Sequence, residues 1–178
     1  MEAARRDPRR FEPLYRKYVG QVYSFAVYEL RDHHRAEDLT EVVFMRALAA
    51  LPRFDERGAD ERSTFRVWLF QIARNAIANE RRSLRRRPEV PLEAALDLRA
   101  PDDPAASADQ REAVTSALRA IDRLPADRRR ALVLRFVEEM STSEIAAILG
   151  RSEGAVRVLI HRALRSVAAA TSGHGERS

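Results

Sequence analysis

"STSEIAAILGRSEGAVRVLIHRAL", residues 141–164, is the stretch whose reading decides the fold of this chain. Ser141 followed three residues later by Glu144 is a capping box: the hydroxyl accepts from one backbone N–H while the carboxylate reaches back to another. It predicts a helix over "TSEIAAIL" with Ile145, Ala146 and Leu149 on the apolar face. Gly150 enters the left-handed conformation at no Cβ penalty, so it ends that helix and turns the chain. Ser152 then caps a second helix whose inner face is Val156, Ile160, Ala163 and Val167. A helix, a tight glycine turn and a second helix make a helix-turn-helix.

On the outer face of the second helix Gly154, Arg157, Val158, His161 and Arg165 project together, with Arg151, Ser152 and Arg162 flanking. In helix-turn-helix docking the N-terminal part of this helix enters the DNA major groove. Gly154 permits close approach, Arg157 suits a guanine or a phosphate, and Val158 suits a thymine methyl. An ordinary helical hairpin with a solvated basic face carries the same pattern, so the segment alone leaves both readings open. His161 reads as a phosphate or water partner, because no second histidine or acid stands at ligand spacing.

Composition bounds the rest. The 178 residues, 45% of them hydrophobic, suit one domain or two small ones. With no cysteine, disulfides, thiolate zinc sites and cysteine redox sensing are excluded. The opening "MEAARRDPRR" has no apolar signal region, and no apolar run approaches the roughly 18 residues of a bilayer span, so a soluble cytoplasmic protein is expected. A net charge of +5 and a pI near 10.3 fit a polyanion partner. Lys17 is the only lysine, however, and an Arg- and Ala-rich chain also follows from a GC-rich genome. The positive excess lies towards both ends and the stretch 83–109 is acidic.

Three helical stripes mark the first half: Phe11, Leu14, Tyr15, Tyr18, Val22, Phe25 and Ala26; then Ala36, Leu39, Val43, Ala47 and Leu51; then Phe65, Trp68, Leu69, Ile72 and Ala76. Trp68 lies on the apolar stripe and reads as core rather than as a base-stacking platform. In the second half Val114, Leu118 and Ile121 mark a helix closed by Pro125. Leu132, Leu134 (or Val133) and Phe136 mark another. No stretch alternates with period two. The expected class is all-α: two small helical domains joined by a flexible linker, the second carrying the helix-turn-helix. The boundaries read as 8–84, an acidic Pro-containing linker 85–109 with a short helix near Leu92–Leu98, then 110–170, and a disordered tail 171–178. No glycine-rich phosphate loop, His-Glu-x-x-His run or nucleophile elbow appears, so no catalytic residue, metal site or cofactor is expected. His33 and His34 are neighbours about 100° apart on a helix and cannot share a metal.

Four ordered segments, "AEDLTEVVFMRAL" (36–48), "LPRFD" (51–55), "FRVWLFQIARNAIANERR" (65–82) and "LPADRRRALVLRFVEEMSTSEIAAILGRSEGAVRVLIHRAL" (124–164), together resemble the extracytoplasmic-function sigma factors of bacterial RNA polymerase over roughly residues 10–168. The resemblance implies that Glu37, Asp38, Leu39, Glu41 and Arg46 dock on core RNA polymerase. On the residues alone the same acids fit a solvated helix face or a carboxylate metal site. It implies that Arg53, Phe54, Arg66, Arg74, Asn75, Asn79, Arg81 and Arg82 hold the −10 promoter element as single-stranded DNA, with the loop around Arg53–Thr64 forming a base pocket. Arg151, Ser152, Gly154, Arg157, Val158, His161, Arg162 and Arg165 would read the −35 duplex. The linker would thread the polymerase cleft, its acids mimicking nucleic-acid charge, although a solubilising tether fits the same residues. An anti-sigma factor is a further implied partner. The sequence departs from the family's usual pattern at Glu41 and Val42, where an amide and an acid are common. It departs again at Val158 and Leu159, which replace a frequent Ser-Arg pair, and in the long acidic loop "DERGADERST". A free-standing helix-turn-helix regulator acting without core polymerase is the alternative.

Overall fold

The computed structural model describes residues 11–54, 64–86 and 108–172; the expected short helix at 92–98 and the expected loop pocket at 55–63 lie outside them. Every described element is helical. Helix α1 (Glu12–Leu30) has Pro13 in its first turn, where a missing N–H costs nothing, and ends at Arg31 in the left-handed conformation, φ 60°. Asp32 caps α2 (His33–Ala50) at once, accepting from the Arg35 N–H at 3.0 Å, so the corner takes two residues. That N–H holds the Asp32 carboxyl below its ordinary pKa. The Arg35 guanidinium reaches on to Glu80 at 2.9 Å and ties α2 to α3 (Phe65–Arg86). A 3₁₀ turn, Leu51–Arg53, closes α2.

The stripes of α1 and α2 face each other as their spacing implies: Val22, Phe25, Ala26, Ala36, Val43 and Ala47 are all fully buried. Tyr15 is the exception at 43% exposed, set edge-on to Phe44 at the rim. Helix α3 departs more. Trp68 and Ile72 are half-buried, Trp68 against Phe54 and Phe65 with ring centroids 4.6 and 5.5 Å away. Val67, Phe70, Ala73 and Ile77 are buried as well. They form a second apolar stripe, because α3 is packed on two sides rather than one.

The second half comprises α4 (Ala108–Asp122), α5 (Ala126–Leu132) continuing into a π turn at Val133–Val137, α6 (Thr142–Leu149) and α7 (Glu153–Ser172). The expected linker therefore yields residues 85–86 to α3 and 108–109 to α4, and the expected tail yields 171–172 to α7. In the π turn the Glu138 N–H bonds the Val133 carbonyl five residues back, at 3.0 Å. The extra residue in that turn rotates the face, so Val133 and Leu134 are both buried and Phe136, read as core from its spacing, is 59% exposed. Val114 also stays outside. Leu124, Leu132 and Ala163 make a small satellite cluster with Ile121, Ile160 and Val167.

The two halves are not merely strung together. Leu134, Met140, Ile145, Ile148 and Leu149 join the same continuous core as Phe70, Ala73 and Ile77 of α3. That packing is the second stripe's partner.

Candidate nucleic-acid interface

The α6–turn–α7 unit forms by the devices its sequence carries. Both halves of the capping box are made: the Ser141 hydroxyl accepts from the Glu144 N–H at 3.2 Å and the Glu144 carboxylate from the Ser141 N–H at 2.8 Å. Gly150 is left-handed at φ 64°, ψ 41°, and the Gly150 and Arg151 N–H groups both bond the Ala146 carbonyl. Ser152 caps α7, its hydroxyl accepting from the Ala155 N–H at 3.2 Å. Val156 and Ala163 point inward, fully buried. Gly154, Arg157, Val158, His161, Arg162 and Arg165 are all exposed. Arg157 pairs with Glu153 one turn back at 3.1 Å, an exposed pair that DNA can displace at small cost. Arg151 is tied to Asp127 of α5 and Ser152 is engaged as a cap, so these two shape the turn as much as they present donors.

Helix α2 presents Glu37, Asp38, Glu41 and Arg46 to solvent, whereas Leu39 is 6% exposed and belongs to the core. Thr40 turns inward and bonds the Ala36 carbonyl at 2.6 Å. Val42 and Met45 stand exposed beside the acids, so the strip is apolar as well as charged. Between α2 and α3 runs an open groove of about 750 Å³ lined by Asp38, Val42, Arg46, Asn79 and Ser83 among others. Among the described residues no three His, Cys, Asp or Glu side chains gather as metal ligands, and His33 bonds the Tyr23 hydroxyl at 2.8 Å.

On α3 the expected residues separate into two faces. Asn75, Asn79 and Arg82 are exposed, one helical turn apart, with Arg82 donating to Asn79 at 3.0 Å. Arg66, Arg74 and Arg81 lie on the other face and are partnered. Arg66 donates to the Glu138 carbonyl, Arg74 to the Ile148 carbonyl at 2.9 Å, and Arg81 to Glu29 at 3.1 Å. Phe54 is 6% exposed inside the aromatic cluster of Phe65 and Trp68, and Arg53 is exposed on the 3₁₀ turn beside it.

Residues 14–87 match the family model "Sigma-70 region 2" and residues 115–167 match "Sigma-70, region 4". The chain is 35% identical over 162 residues to the ECF RNA polymerase sigma factor BldN of Streptomyces coelicolor, a match covering 89% of this chain and 59% of BldN. It is 30% identical over 154 residues to the ECF RNA polymerase sigma factor SigM of Bacillus subtilis, covering 85% of this chain and 89% of SigM. This chain belongs to the ECF sigma factors. Its fold is that of the sigma factor RpoE solved with the anti-sigma factor NepR from Bartonella quintana (TM-score 0.69, 25% identity, 88% of this chain and 93% of that one). CnrH, solved with the cytosolic domain of CnrY, is similar to it as well (TM-score 0.65, 25% identity, 94% and 91%).

In this sigma factor the sequence reading passed over the groups that join its halves. Glu29 at the end of α1 is 4% exposed and takes a two-pronged contact from Arg130 of α5, at 3.1 and 2.8 Å, in addition to Arg81. Arg31 pairs with Asp122, and burial lowers the pKa of the neighbouring Arg129 guanidinium. Gln71 donates to the Ala147 carbonyl at 3.0 Å. Glu138 is 2% exposed, its Oε1 lacking a hydrogen-bond partner. Burial raises its pKa to about 7 against the opposing pull of Arg66 and a bond from Ser24. An acid within the apolar end of α1 and the second stripe on α3 were the available signals.

Proposed function

We propose that this sigma factor is a promoter-specificity subunit: it binds core RNA polymerase, reads −35 DNA as duplex through α7, and holds −10 DNA as a single strand against α3. It acts in the cytoplasm and performs no chemistry of its own. The observation that carries the −35 assignment is the exposed face of α7. There Arg157, Val158, His161 and Arg162 stand clear of the core on a helix held by a completed capping box and a left-handed glycine. The exposed acids of α2, with Val42 and Met45 among them, support polymerase docking, since such a strip complements a basic, partly apolar partner surface. Asn75, Asn79 and Arg82 support single-strand capture through cationic and amide groups on one exposed stripe. An anti-sigma partner is proposed by analogy with RpoE and its complex. The domains are taken as 8–84 and 110–170, joined by the acidic linker.

Gel filtration with bacterial core polymerase followed by run-off transcription tests the reading. Co-elution with new, discrete transcripts is expected. A footprint on duplex DNA by the chain alone, with no co-elution, would instead make it a free-standing regulator.

A further inference from the structure

A cavity lies apart from the residues assigned to polymerase and DNA. Between α4 and the second half of α7 runs an open cleft of about 290 Å³, at the small end of the roughly 300–1,000 Å³ typical of ligand clefts. Ser116, Arg119 and Arg123 share one face of α4 at helical spacing and all line it. Its floor is apolar: Ala120 and Leu124 are buried, and Leu124 belongs to the satellite cluster. Ser166 and Ala170 line it from α7. The Ser166 hydroxyl donates to the Arg162 carbonyl at 2.9 Å, so the side-chain donors of the cleft are the two guanidiniums and the Ser116 hydroxyl. Both arginines are exposed, and neither side chain has a hydrogen-bond or ion-pair partner among the described residues. That sets them apart in this half, where Arg129, Arg130, Arg135, Arg151 and Arg157 are all engaged. Like charges four residues apart on a helix repel, and no carboxylate of the described chain relieves this pair.

We propose that this cleft is a binding site for a small phosphomonoester, its phosphate held by Arg119, Arg123 and Ser116 and its apolar or planar body laid on Ala120 and Leu124. Charge selects phosphate over carboxylate. Each guanidinium stays protonated at physiological pH and presents paired N–H groups to an oxyanion. Two of them balance a phosphomonoester, which carries about −1.5 to −2 at neutral pH, whereas a carboxylate leaves one cation uncompensated. The floor selects an ester over inorganic phosphate, which has no apolar surface to bury there. A ligand bridging α4 and α7 also stabilises the folded chain by mass action. Neither arginine is among the residues given to polymerase or DNA, so the site stands independently of those readings.

The test is isothermal titration calorimetry on the full chain at fixed ionic strength, with phenyl phosphate, inorganic phosphate and benzoate as probes. Phenyl phosphate is expected to bind more tightly than either of the others, by about fivefold or more. Arg119→Gln with Arg123→Gln should weaken it by about tenfold or more, and because both side chains are exposed the fold is retained. Arg85→Gln with Arg86→Gln, exposed on α3, removes the same charge elsewhere and should leave the affinity for phenyl phosphate unchanged. In urea, phenyl phosphate should raise the unfolding midpoint of the parent and of the α3 variant, but not of the α4 variant. Neither heat nor a raised midpoint at millimolar phenyl phosphate overturns the site. Equal losses in the two double variants reduce the effect to diffuse charge and overturn it too. Inorganic phosphate bound as tightly as phenyl phosphate would replace the small-molecule site by a bare phosphate contact, such as a nucleic-acid backbone offers. Benzoate bound as tightly as phenyl phosphate would overturn the choice of phosphate.

Discussion

The same chemical change, glycine to alanine, should act in opposite directions at Gly150 and Gly20. At Gly150 a Cβ would find only the Arg74 Nη1 at 3.9 Å, an ordinary contact, so the effect is conformational rather than steric. The backbone sits at φ 64°, ψ 41°, where an L-residue with a Cβ costs roughly 1–2 kcal/mol. Alanine's smaller unfolded-state entropy offsets about 0.4–1 kcal/mol of that. Gly150→Ala should therefore destabilise by about 1 kcal/mol. Gly20 lies within α1, exposed, with nothing inside 4 Å of the added carbon. There alanine should stabilise by roughly 0.5–1 kcal/mol. Equilibrium urea unfolding followed at 222 nm would place the two variants about 1.5–2 kcal/mol apart on either side of the parent. In a thermal melt each kcal/mol is worth roughly 2–4 °C at this chain length. Gly150→Asn should lose less than the alanine variant, because asparagine tolerates the left-handed region. A neutral or stabilising Gly150→Ala would refute the role given to the turn, and equal destabilisation at both sites would refute the conformational argument.

Other outcomes follow from named contacts. Ser141→Ala removes the hydroxyl half of the capping box and should cost about 1 kcal/mol in the same urea assay. Arg157→Ala should weaken −35 binding by about 1–3 kcal/mol if it makes a bidentate base contact, with stability nearly unchanged since its pair with Glu153 is exposed. Equal transcription from native and −35-mutant promoters by this variant would remove Arg157 from the contact set. Asp38→Arg reverses charge on the exposed strip of α2 and should abolish co-elution with core polymerase while leaving the circular dichroism intact. Glu138 supplies a pH test. Its folded pKa of about 7 stands above the ordinary 4.5, so between those values the folded chain holds more protons than the unfolded one and stability falls as pH rises. Glu138→Gln should flatten that slope and be the more stable form at pH 8, by on the order of 1–3 kcal/mol. A parent with no decline over that range would place the carboxylate in water.

Local structure was legible because its causes are local. The capping box at Ser141 and Glu144, the left-handed Gly150 and the cap at Ser152 each involve residues within four positions of one another, and all are realised. The same holds for the inward stripes of α1 and α2 and for the all-helical class. Single-residue periodicity failed where the backbone left the regular helix: the π turn carried Phe136 outward, while Val133 and Leu134 are both buried.

Identifying α3 as a helix required only its spacing, but the use of its several faces did not follow from it. Arg66, Arg74 and Arg81 stand among the −10 candidates because the resemblance of residues 65–82 to the family implies it. Their partners, Glu138, Ile148 and Glu29, stand from 52 to 74 residues away. No local pattern couples groups so far apart. A guanidinium also bonds an unsatisfied helix carbonyl, and for Arg74 only the packing of α6 against the second apolar stripe decided that it meets one. The sequence by itself determined the helices, their caps and the exposed basic face of α7. The tertiary structure alone decided that the halves share one core and that Arg66 and Arg74 are spent holding them together.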